Sequence, residues 1–222
     1  MFTSHIRRVA AFTAAIAVSF ALHSTPAHAD ASSEAYVQSN ASSAMNALNA
    51  AGSASERSNK FGTLMEEFAD LNEIALMVLP RAQKIQLTQD AKLRHEWVGA
   101  FREYAMATYE DQLDRYRGGD LKVTGSKDSV INGKTRSRVR TEMSQNNATP
   151  LIIYWYLERR PQGWQVTDVG LGSGDSEIKL AIMQRDQFAA TLQKNGGDMK
   201  KLINTLKTQT ATMRDRIARK SA

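Results

Sequence analysis

The chain has 222 residues, with 29 Lys and Arg against 23 Asp and Glu, a formal net charge of +6 and no cysteine. The lack of cysteine excludes disulfide frameworks, thiolate nucleophiles, iron–sulfur clusters and zinc ribbons. The hydrophobic fraction of 42% and the charged fraction of 23% are ordinary for a folded protein, so the composition excludes wholesale disorder and collagen-like structure.

The N-terminal residues have the layout of an export signal. A basic pair, Arg7 and Arg8, precedes an apolar run over residues 9–22, and an Ala-His-Ala triplet ends at Ala29. The run is too short to favour the alternative, an uncleaved membrane anchor. We therefore predict a signal peptide over residues 1–29, cleaved after Ala29. A cysteine-free fold does not depend on oxidation, and this favours the periplasm as its compartment.

Residues 30–222 are predicted to form one domain. Residues 30–55 contain few large apolar side chains, so this stretch is predicted to be loosely ordered. Apolar residues then recur at helical spacing over 61–79, with a break near Asp70 and an end at Pro80. A second long helix is predicted from Thr88, as its N-cap, to about residue 116.

The middle of the chain changes from helical to strand periodicity. Strands are predicted over 121–124, 130–143 with a turn at Asn132-Gly133, 151–159 and 164–169. Helices follow over 176–195 and 199–218. The order of elements predicts an α+β domain, with helices packed on one face of a curved antiparallel sheet of about four strands.

Candidate sites for chemistry are few. Residues 170–175 are glycine-rich but lack the last glycine of a dinucleotide fingerprint and follow hairpin strands, which argues against a nucleotide site. Past the signal segment His95 is the single histidine, so a multi-histidine metal site is excluded and a serine-hydrolase triad is possible only through His95. We predict no catalytic residues, metal or cofactor.

Arginines alternate at Arg136, Arg138 and Arg140, so a strand places all three on one face. Either this face is merely solvated, or it docks an acidic protein or anionic lipid headgroups. A nucleic-acid role fits the charge but conflicts with export. The candidate docking residues, chosen on elements that could frame an opening, are Arg102, Arg136, Arg138, Arg140, Arg159 and Arg160.

An ordered series of short segments resembles one known family. The series runs from residue 61 to residue 207 and comprises Phe101-Arg102-Glu103-Tyr104, Tyr109, Leu113, Tyr116-Arg117-Gly118, Pro150, Trp164-Gln165-Val166-Thr167-Asp168-Val169, Ser176, Gln184-Arg185-Asp186-Gln187-Phe188 and Gly197-Asp198. It resembles the MlaC, or toluene-tolerance, family of periplasmic lipid-binding proteins.

The resemblance implies a fold, a ligand and partners. It implies a sheet of the nuclear-transport-factor-like type and a deep apolar cavity that takes phospholipid acyl chains and leaves the headgroup at the mouth. It also implies a non-enzymatic carrier between an outer-membrane lipoprotein complex and an inner-membrane ABC transporter. If so, the large apolar residues line the cavity, although composition alone also permits a filled core. The predicted lipid-binding residues are Trp97, Phe101, Tyr104, Tyr109, Leu113, Val139, Ile153, Trp155, Ile182, Phe188 and Leu192.

One segment departs from the family pattern. Gly174-Asp175-Ser176-Glu177 stands where the family has apolar groups, and it is more similar to the hopanoid-associated branch of the family. A hopanoid ligand, in a hopanoid-pathway accessory protein of the same fold, is therefore the alternative to a phospholipid. A hydrolase that uses His95 is the third hypothesis.

Overall fold

The computed structural model describes residues 31–144, 149–173 and 176–220, so the predicted signal segment and its cleavage point lie outside the described residues. Helices, a sheet and two further helices follow in chain order. Their bounds are α1 Ala31–Asn49, α2 Ala54–Phe68, α3 Leu71–Met77, α4 Arg81–Gln89, α5 Ala91–Leu113, a 3-10 turn Asp114–Tyr116, β1 Asp120–Ile131, β2 Lys134–Ser144, β3 Leu151–Arg160, β4 Gly163–Ser173, β5 Ser176–Lys179, α6 Leu180–Lys194 and α7 Met199–Lys220.

The predicted α+β architecture is confirmed, with one strand more than expected. The strands lie side by side in the order β1-β2-β3-β4-β5, and each neighbouring pair is antiparallel. The added strand, β5, occupies the start of the segment predicted to be helical. Leu171 pairs with Ile178 and Gly172 with Glu177, so the chain completes a last hairpin before α6 begins at Leu180.

The turn between β1 and β2 has the predicted geometry. Asn132 and Gly133 have φ angles of 53° and 74°, which are the positive values that a type I′ turn requires at both central positions. The turn pairs Ile131 with Lys134, and this pairing sets the register of the hairpin.

Side-chain carboxylates and a hydroxyl define the helix starts. Ser53 and Glu56 form a reciprocal capping box at α2. Asp70 caps α3 by accepting from the Glu73 N–H at 2.9 Å, so the predicted break near Asp70 is confirmed. The predicted start of the long helix is wrong by a few residues. Asp90, not Thr88, accepts the first free N–H, because the Thr88 hydroxyl instead donates to a carbonyl within α4.

The segment expected to be loosely ordered contains α1, and its Ala-rich sequence packs closely. Val37, Ala47 and Leu48 are fully buried against the rest of the core. The Gln38 side chain donates to the carbonyl of Leu121 and accepts from the N–H of Val123, both at 3.3 Å. These bonds tie α1 to the edge strand β1 and satisfy backbone groups that an uncovered edge would leave free.

The two faces of the sheet differ sharply. Along β2, the side chains of Ser137, Val139 and Thr141 are buried beneath the helices, whereas the alternate arginines point to the outer face. The inner face of β3 continues this layer with Ile153 and Trp155. The core therefore lies between the inner face of the sheet and the helices.

Candidate functional site

An apolar cavity of about 290 Å³ lies between the inner face of the sheet and helices α1, α2 and α5. Its lining comes from all of these elements, from Tyr116 of the 3-10 turn and from the first residue of α6. The lining residues are Ala41, Ala44, Met45, Met65, Phe68, Tyr109, Gln112, Leu113, Tyr116, Leu121, Met143, Leu151, Ile153, Trp155, Val169, Leu171 and Leu180.

The cavity lies at one end of the sheet. Leu121 lies near the start of β1, Met143 lies near the end of β2, Leu151 begins β3 and Leu171 lies near the end of β4. Antiparallel pairing brings these four positions to the same end. The opposite end of the sheet carries the Asn132-Gly133 turn and the turn between β3 and β4.

The chemistry of the lining suits an apolar ligand. Among the described residues that line the cavity, none carries a formal charge. The Trp155 indole N–H is already satisfied, because it donates to the Thr141 hydroxyl at 2.9 Å. The other polar lining side chains are Tyr109, Gln112 and Tyr116. Among the described lining residues there is no pair of carboxylates and no nucleophile beside a base, which are the groups that acid–base or nucleophilic catalysis uses.

A second, much smaller void of about 20 Å³ adjoins the cavity, and its lining includes Tyr109, Asp168 and Gln184. Burial raises the pKa of the Tyr109 hydroxyl above its usual range, and the neighbouring Asp168 carboxylate raises it further. Burial also raises the pKa of Asp168, although Asp168 Oδ1 accepts from the backbone N–H groups of Val169 at 2.8 Å and Ala181 at 3.2 Å. Most of the other residues that line this void are apolar, so Asp168 and Gln184 are polar groups at the edge of an apolar space.

Four of the residues predicted to bind lipid line the cavity: Tyr109, Leu113, Ile153 and Trp155. They come from the last turns of α5 and from the inner face of β3. The structure brings them together because the C-terminal half of α5 crosses the end of the sheet where the cavity lies.

The other seven do not line it. The predicted group of Trp97, Phe101, Tyr104 and Phe188 packs as an aromatic cluster, with the Phe188 ring 5.6 Å from Trp97, 6.4 Å from Phe101 and 6.0 Å from Tyr104, centroid to centroid. The Trp97 N–H donates to the Ala75 carbonyl at 2.8 Å. This cluster packs between α3, α5 and α6, and its members Tyr104 and Phe188 also border a separate groove against α7. The apolar stripe along α5 therefore serves separate environments.

Leu192 and Val139 are likewise buried in the core away from the cavity, and Ile182 is 48% exposed on the first turn of α6. Ile182 lies six residues before Phe188, which is about 120° away around the helix, so the two side chains do not share the buried face of α6. Leu180, the first residue of α6, meets the cavity instead.

Sequence reasoning missed the contributions of α1 and α2. Ala41, Ala44 and Met45 from α1 and Met65 and Phe68 from α2 all line the cavity. A signal was present: small alanines on the buried face of a helix leave space between that helix and a sheet, whereas leucines would fill it.

The six predicted docking arginines lie away from the cavity lining, and each has a partner. On the outer face of the sheet, Arg136 is 3.2 Å from Glu158 and Arg140 is 2.7 Å from Glu142. Arg138 stacks over the Tyr154 ring at 4.3 Å and is 3.8 Å from Glu177.

The remaining three arginines contact neighbouring elements. Arg102 on α5 pairs with Glu66 on α2. Arg159 stacks over Trp164 at 5.2 Å, and Arg160 is 3.6 Å from Asp70 and also pairs with Glu73. None of these described arginines is among the residues that line the cavity, so they do not frame it as the sequence suggested.

Other candidate chemistry is not assembled in the described part of the chain. His95 is exposed on the N-terminal half of α5, away from the cavity lining. Within residues 31–144, 149–173 and 176–220, no group of three or more His, Asp or Glu side chains is placed to hold a metal ion. Over the same residues, no helix has the length and hydropathy needed to cross a membrane.

Comparison with known proteins gives a family and a shared fold. Residues 37–208 match the family model described as MlaC protein. The phospholipid-binding protein from Ralstonia solanacearum, solved in complex with a phospholipid, superposes with a TM-score of 0.66 at 19% sequence identity, covering 82% of this chain and 99% of that one. At this identity the likeness shows the fold alone, and no curated protein matches the chain.

The matched segment contains every residue that lines the cavity, and it extends over most of the chain. It also contains all of the residues on which the resemblance rests. The chain belongs to the MlaC family.

Proposed function

We propose that this protein is a phospholipid carrier. The observation that carries the proposal is the uncharged cavity of about 290 Å³ at one end of the sheet. Membership of the MlaC family supports it. The similar fold of a protein that was solved with a phospholipid bound also supports it.

The finer proposal concerns location and partners. The protein is exported to the periplasm, and it shuttles lipid between an outer-membrane lipoprotein complex and an inner-membrane ABC transporter. The export-type layout of residues 1–29 and the family membership support this part of the proposal.

A carrier of this kind needs no chemistry of its own. Burial stabilises each methylene by about 0.8 kcal/mol, so two long acyl tails bring on the order of 20 kcal/mol of transfer free energy. Release into water is then extremely slow. The cavity instead replaces the apolar environment of the bilayer, and exchange occurs on contact with a partner that offers an equivalent environment. The direction of transport comes from the partner's ATPase.

The hopanoid alternative rests on Gly174-Asp175-Ser176-Glu177, of which Gly174 and Asp175 lie outside the described residues. Glu177 is placed on the outer face of the sheet, where it accepts from the Tyr156 hydroxyl and lies near Arg138. Its carboxylate therefore does not shape the cavity, and we keep the hopanoid as an outcome of the test rather than as a second proposal.

A cavity-filling substitution tests the carrier function. Ala44 lies on the buried face of α1 and lines the cavity, so an indole at this position occupies space that the ligand needs. We expect Ala44→Trp to retain a native circular dichroism spectrum and to lose most of its bound lipid. The control is Ala35→Trp, because Ala35 is exposed on the same helix and does not line the cavity.

The measurement is native mass spectrometry of protein purified from the periplasm of its own source. A diacyl lipid that co-purifies with the wild type and with Ala35→Trp, but not with Ala44→Trp, supports the proposal. A triterpenoid in its place supports the hopanoid alternative. Empty wild-type protein whose esterase activity is lost in His95→Ala would instead support the hydrolase.

A further inference from the structure

The net positive charge of the chain is concentrated on its last two helices. Residues 180–220, which contain α6, α7 and the turn between them, carry nine Lys and Arg against three Asp. The whole chain carries 29 basic and 23 acidic side chains, so 20 of each remain elsewhere. The rest of the sequence is therefore balanced, and the formal net charge of +6 comes from this segment.

Some of these cations take part in packing. On the side of α7 that meets α5, Arg214 pairs with Glu110, while Arg216 and Lys220 lie 2.7 Å and 3.2 Å from Asp111. Arg185 pairs with the adjacent acid of α6. The other five cations of the segment have no ion-pair partner among the residues that the structure describes. They are Lys194, Lys200, Lys201, Lys207 and Arg219.

Four of the five unpaired cations lie on the exposed side of α7. The buried residues of this helix are all apolar, and Asp215 is its single acid. The helix has 22 residues, so it is about 33 Å long. Lys200 and Lys201 stand near its start, Lys207 in its first half and Arg219 near its end. The exposed side of α7 therefore carries positive charge along most of its length.

Local helix stability does not account for the two lysines near the start of α7. The N-terminal end of a helix has a positive partial charge, which favours acids and disfavours cations. The Asp198 carboxylate already accepts from the backbone N–H groups of Lys200 at 2.8 Å and Lys201 at 3.2 Å. The two ammonium groups add repulsion at this end of the helix, so their presence points to a role outside the fold.

The chemistry of the exposed side favours a lipid surface over a protein partner. Protein interfaces centre on aromatic or other large anchors that become buried. The sequence of α7 contains no aromatic residue, and none of its large apolar side chains is exposed. Four of the five unpaired cations are lysines, which act as flexible point charges rather than as rigid bidentate donors. Spread lysines without an apolar anchor suit a layer of anionic headgroups.

We propose that the exposed side of α7 adsorbs to the surface of a bilayer that carries anionic headgroups. The contact is electrostatic and reversible, because no exposed apolar group of α7 inserts among the acyl chains. This inference goes beyond the proposed carrier function and concerns where the protein resides between encounters. No residue of α7 lines the cavity, so adsorption does not require a bound lipid.

The test measures binding to vesicles. Protein purified from the periplasm is mixed at low salt with vesicles of phosphatidylcholine alone, or of phosphatidylcholine and phosphatidylglycerol in equal amounts, and the bound fraction is measured by sedimentation. We expect wild type to bind only the anionic vesicles and to be released as salt rises. Lys201→Gln/Lys207→Gln should bind these vesicles roughly 10- to 30-fold more weakly, since each lysine near the surface contributes about 5-fold.

The matched control is Lys122→Gln/Lys127→Gln, which makes the same charge change at two exposed positions of β1. It should bind like wild type. Glutamine preserves a long side chain and a good helix propensity. If circular dichroism nevertheless shows a lost fold, Lys207→Gln/Arg219→Gln replaces the first variant.

Two results would overturn the inference. An equal loss in both double variants would show that only net charge matters. Wild-type protein with no preference for anionic vesicles would leave the exposed side of α7 to an acidic protein surface. Lipid retained in the cavity, measured on the same samples by native mass spectrometry, should be unchanged in every variant. That readout tests the carrier function separately from adsorption.

Discussion

Glu110 is a buried carboxylate on α5, with its side chain only 1% exposed. It accepts a hydrogen bond from the Ser58 hydroxyl of α2 at 2.6 Å and pairs with Arg214 of α7. A single side chain thus joins three helices. Removal of either partner leaves a charge with too few hydrogen bonds in a site that water does not reach.

We predict that Arg214→Ala lowers the free energy of unfolding by about 2–3 kcal/mol, somewhat less than for a fully buried pair because Arg214 is partly exposed. The matched control is Arg216→Ala, since Arg216 is half-exposed and pairs with Asp111 at 2.7 Å. This second variant should lose about 0.5 kcal/mol. Urea titrations measure both, and equal losses would show that burial of Glu110 has no special effect.

Asp168 gives a prediction for pH. Burial raises the pKa of this carboxyl in the folded protein above its ordinary value of 3.8. The folded state therefore binds the proton more tightly than the unfolded state. The resulting stabilisation is fully present below the unfolded pKa and is lost as the pH rises through the folded pKa. At neutral pH the ionised carboxylate is a destabilising group.

Asp168→Asn keeps an oxygen acceptor for the N–H groups of Val169 and Ala181 while removing the charge. We expect this variant to unfold at higher urea concentration than wild type at pH 7, with a difference that shrinks toward pH 4. Denaturation curves at the two pH values supply the measurement. A variant that is less stable than wild type at pH 7 would contradict the sign.

At the scale of elements, the sequence predicts correctly those turns and helix ends that depend on interactions between neighbouring residues. The Asn132-Gly133 turn and the Asp70 break depend on the conformational preferences and side-chain bonds of a few neighbouring residues, and both lie where the sequence indicated. The strand β5 was missed because Ser176–Lys179 forms a strand only by pairing with β4, a tertiary interaction. The packing of α1 was missed for the same reason, since its alanines are buried only because β1 and α2 lie against them.

Two glycines, one inside α5 and one just after it, differ in the space available for an added side chain. Gly99 lies inside the helix, and a Cβ placed there meets no atom within 4 Å. Gly119 follows the helix, and a Cβ there lies 2.3 Å from the carbonyl oxygen of Ser144, a backbone atom that cannot rotate away.

We therefore predict opposite effects of the same substitution. Gly99→Ala should stabilise the protein by about 0.5–1 kcal/mol through helix propensity, whereas Gly119→Ala should destabilise it because β2 must shift. Thermal unfolding followed by circular dichroism distinguishes the two. A destabilised Gly99→Ala would mean that α5 tolerates no added side chain at this exposed position.

At the scale of the whole molecule, the existence of the cavity was predicted from family resemblance, but its position was not. Trp97 and Phe101 lie on the same helix as Tyr109 and Leu113, and periodicity treats them as one apolar stripe. The structure separates them because α6 and its Phe188 cover the first half of α5, while the sheet end faces the second half. Long-range packing decides which half of α5 faces the cavity, and the local sequence pattern of α5 does not show it.

The arginines raise the question of how the proposed carrier would meet its proposed partners. Arg102 lies on α5 in a partly exposed pair with Glu66, outside the cavity lining. Exposed charges of this kind act chiefly on the rate and orientation of encounter. A role in docking to acidic surfaces of the membrane complexes therefore predicts an effect on lipid exchange without an effect on lipid retention.

We predict that Arg102→Glu slows lipid exchange with a purified transporter partner roughly 3- to 10-fold at low salt, and that the difference fades as the Debye length shrinks to about 10 Å near 0.1 M salt. Arg94→Glu is the control, because it makes the same charge change at an exposed position on the same helix. Bound lipid, measured by native mass spectrometry, should be unchanged in both variants. Equal exchange rates for the two variants at every salt concentration would show that only net charge matters, and rates equal to wild type would reduce Arg102 to a solvated surface residue.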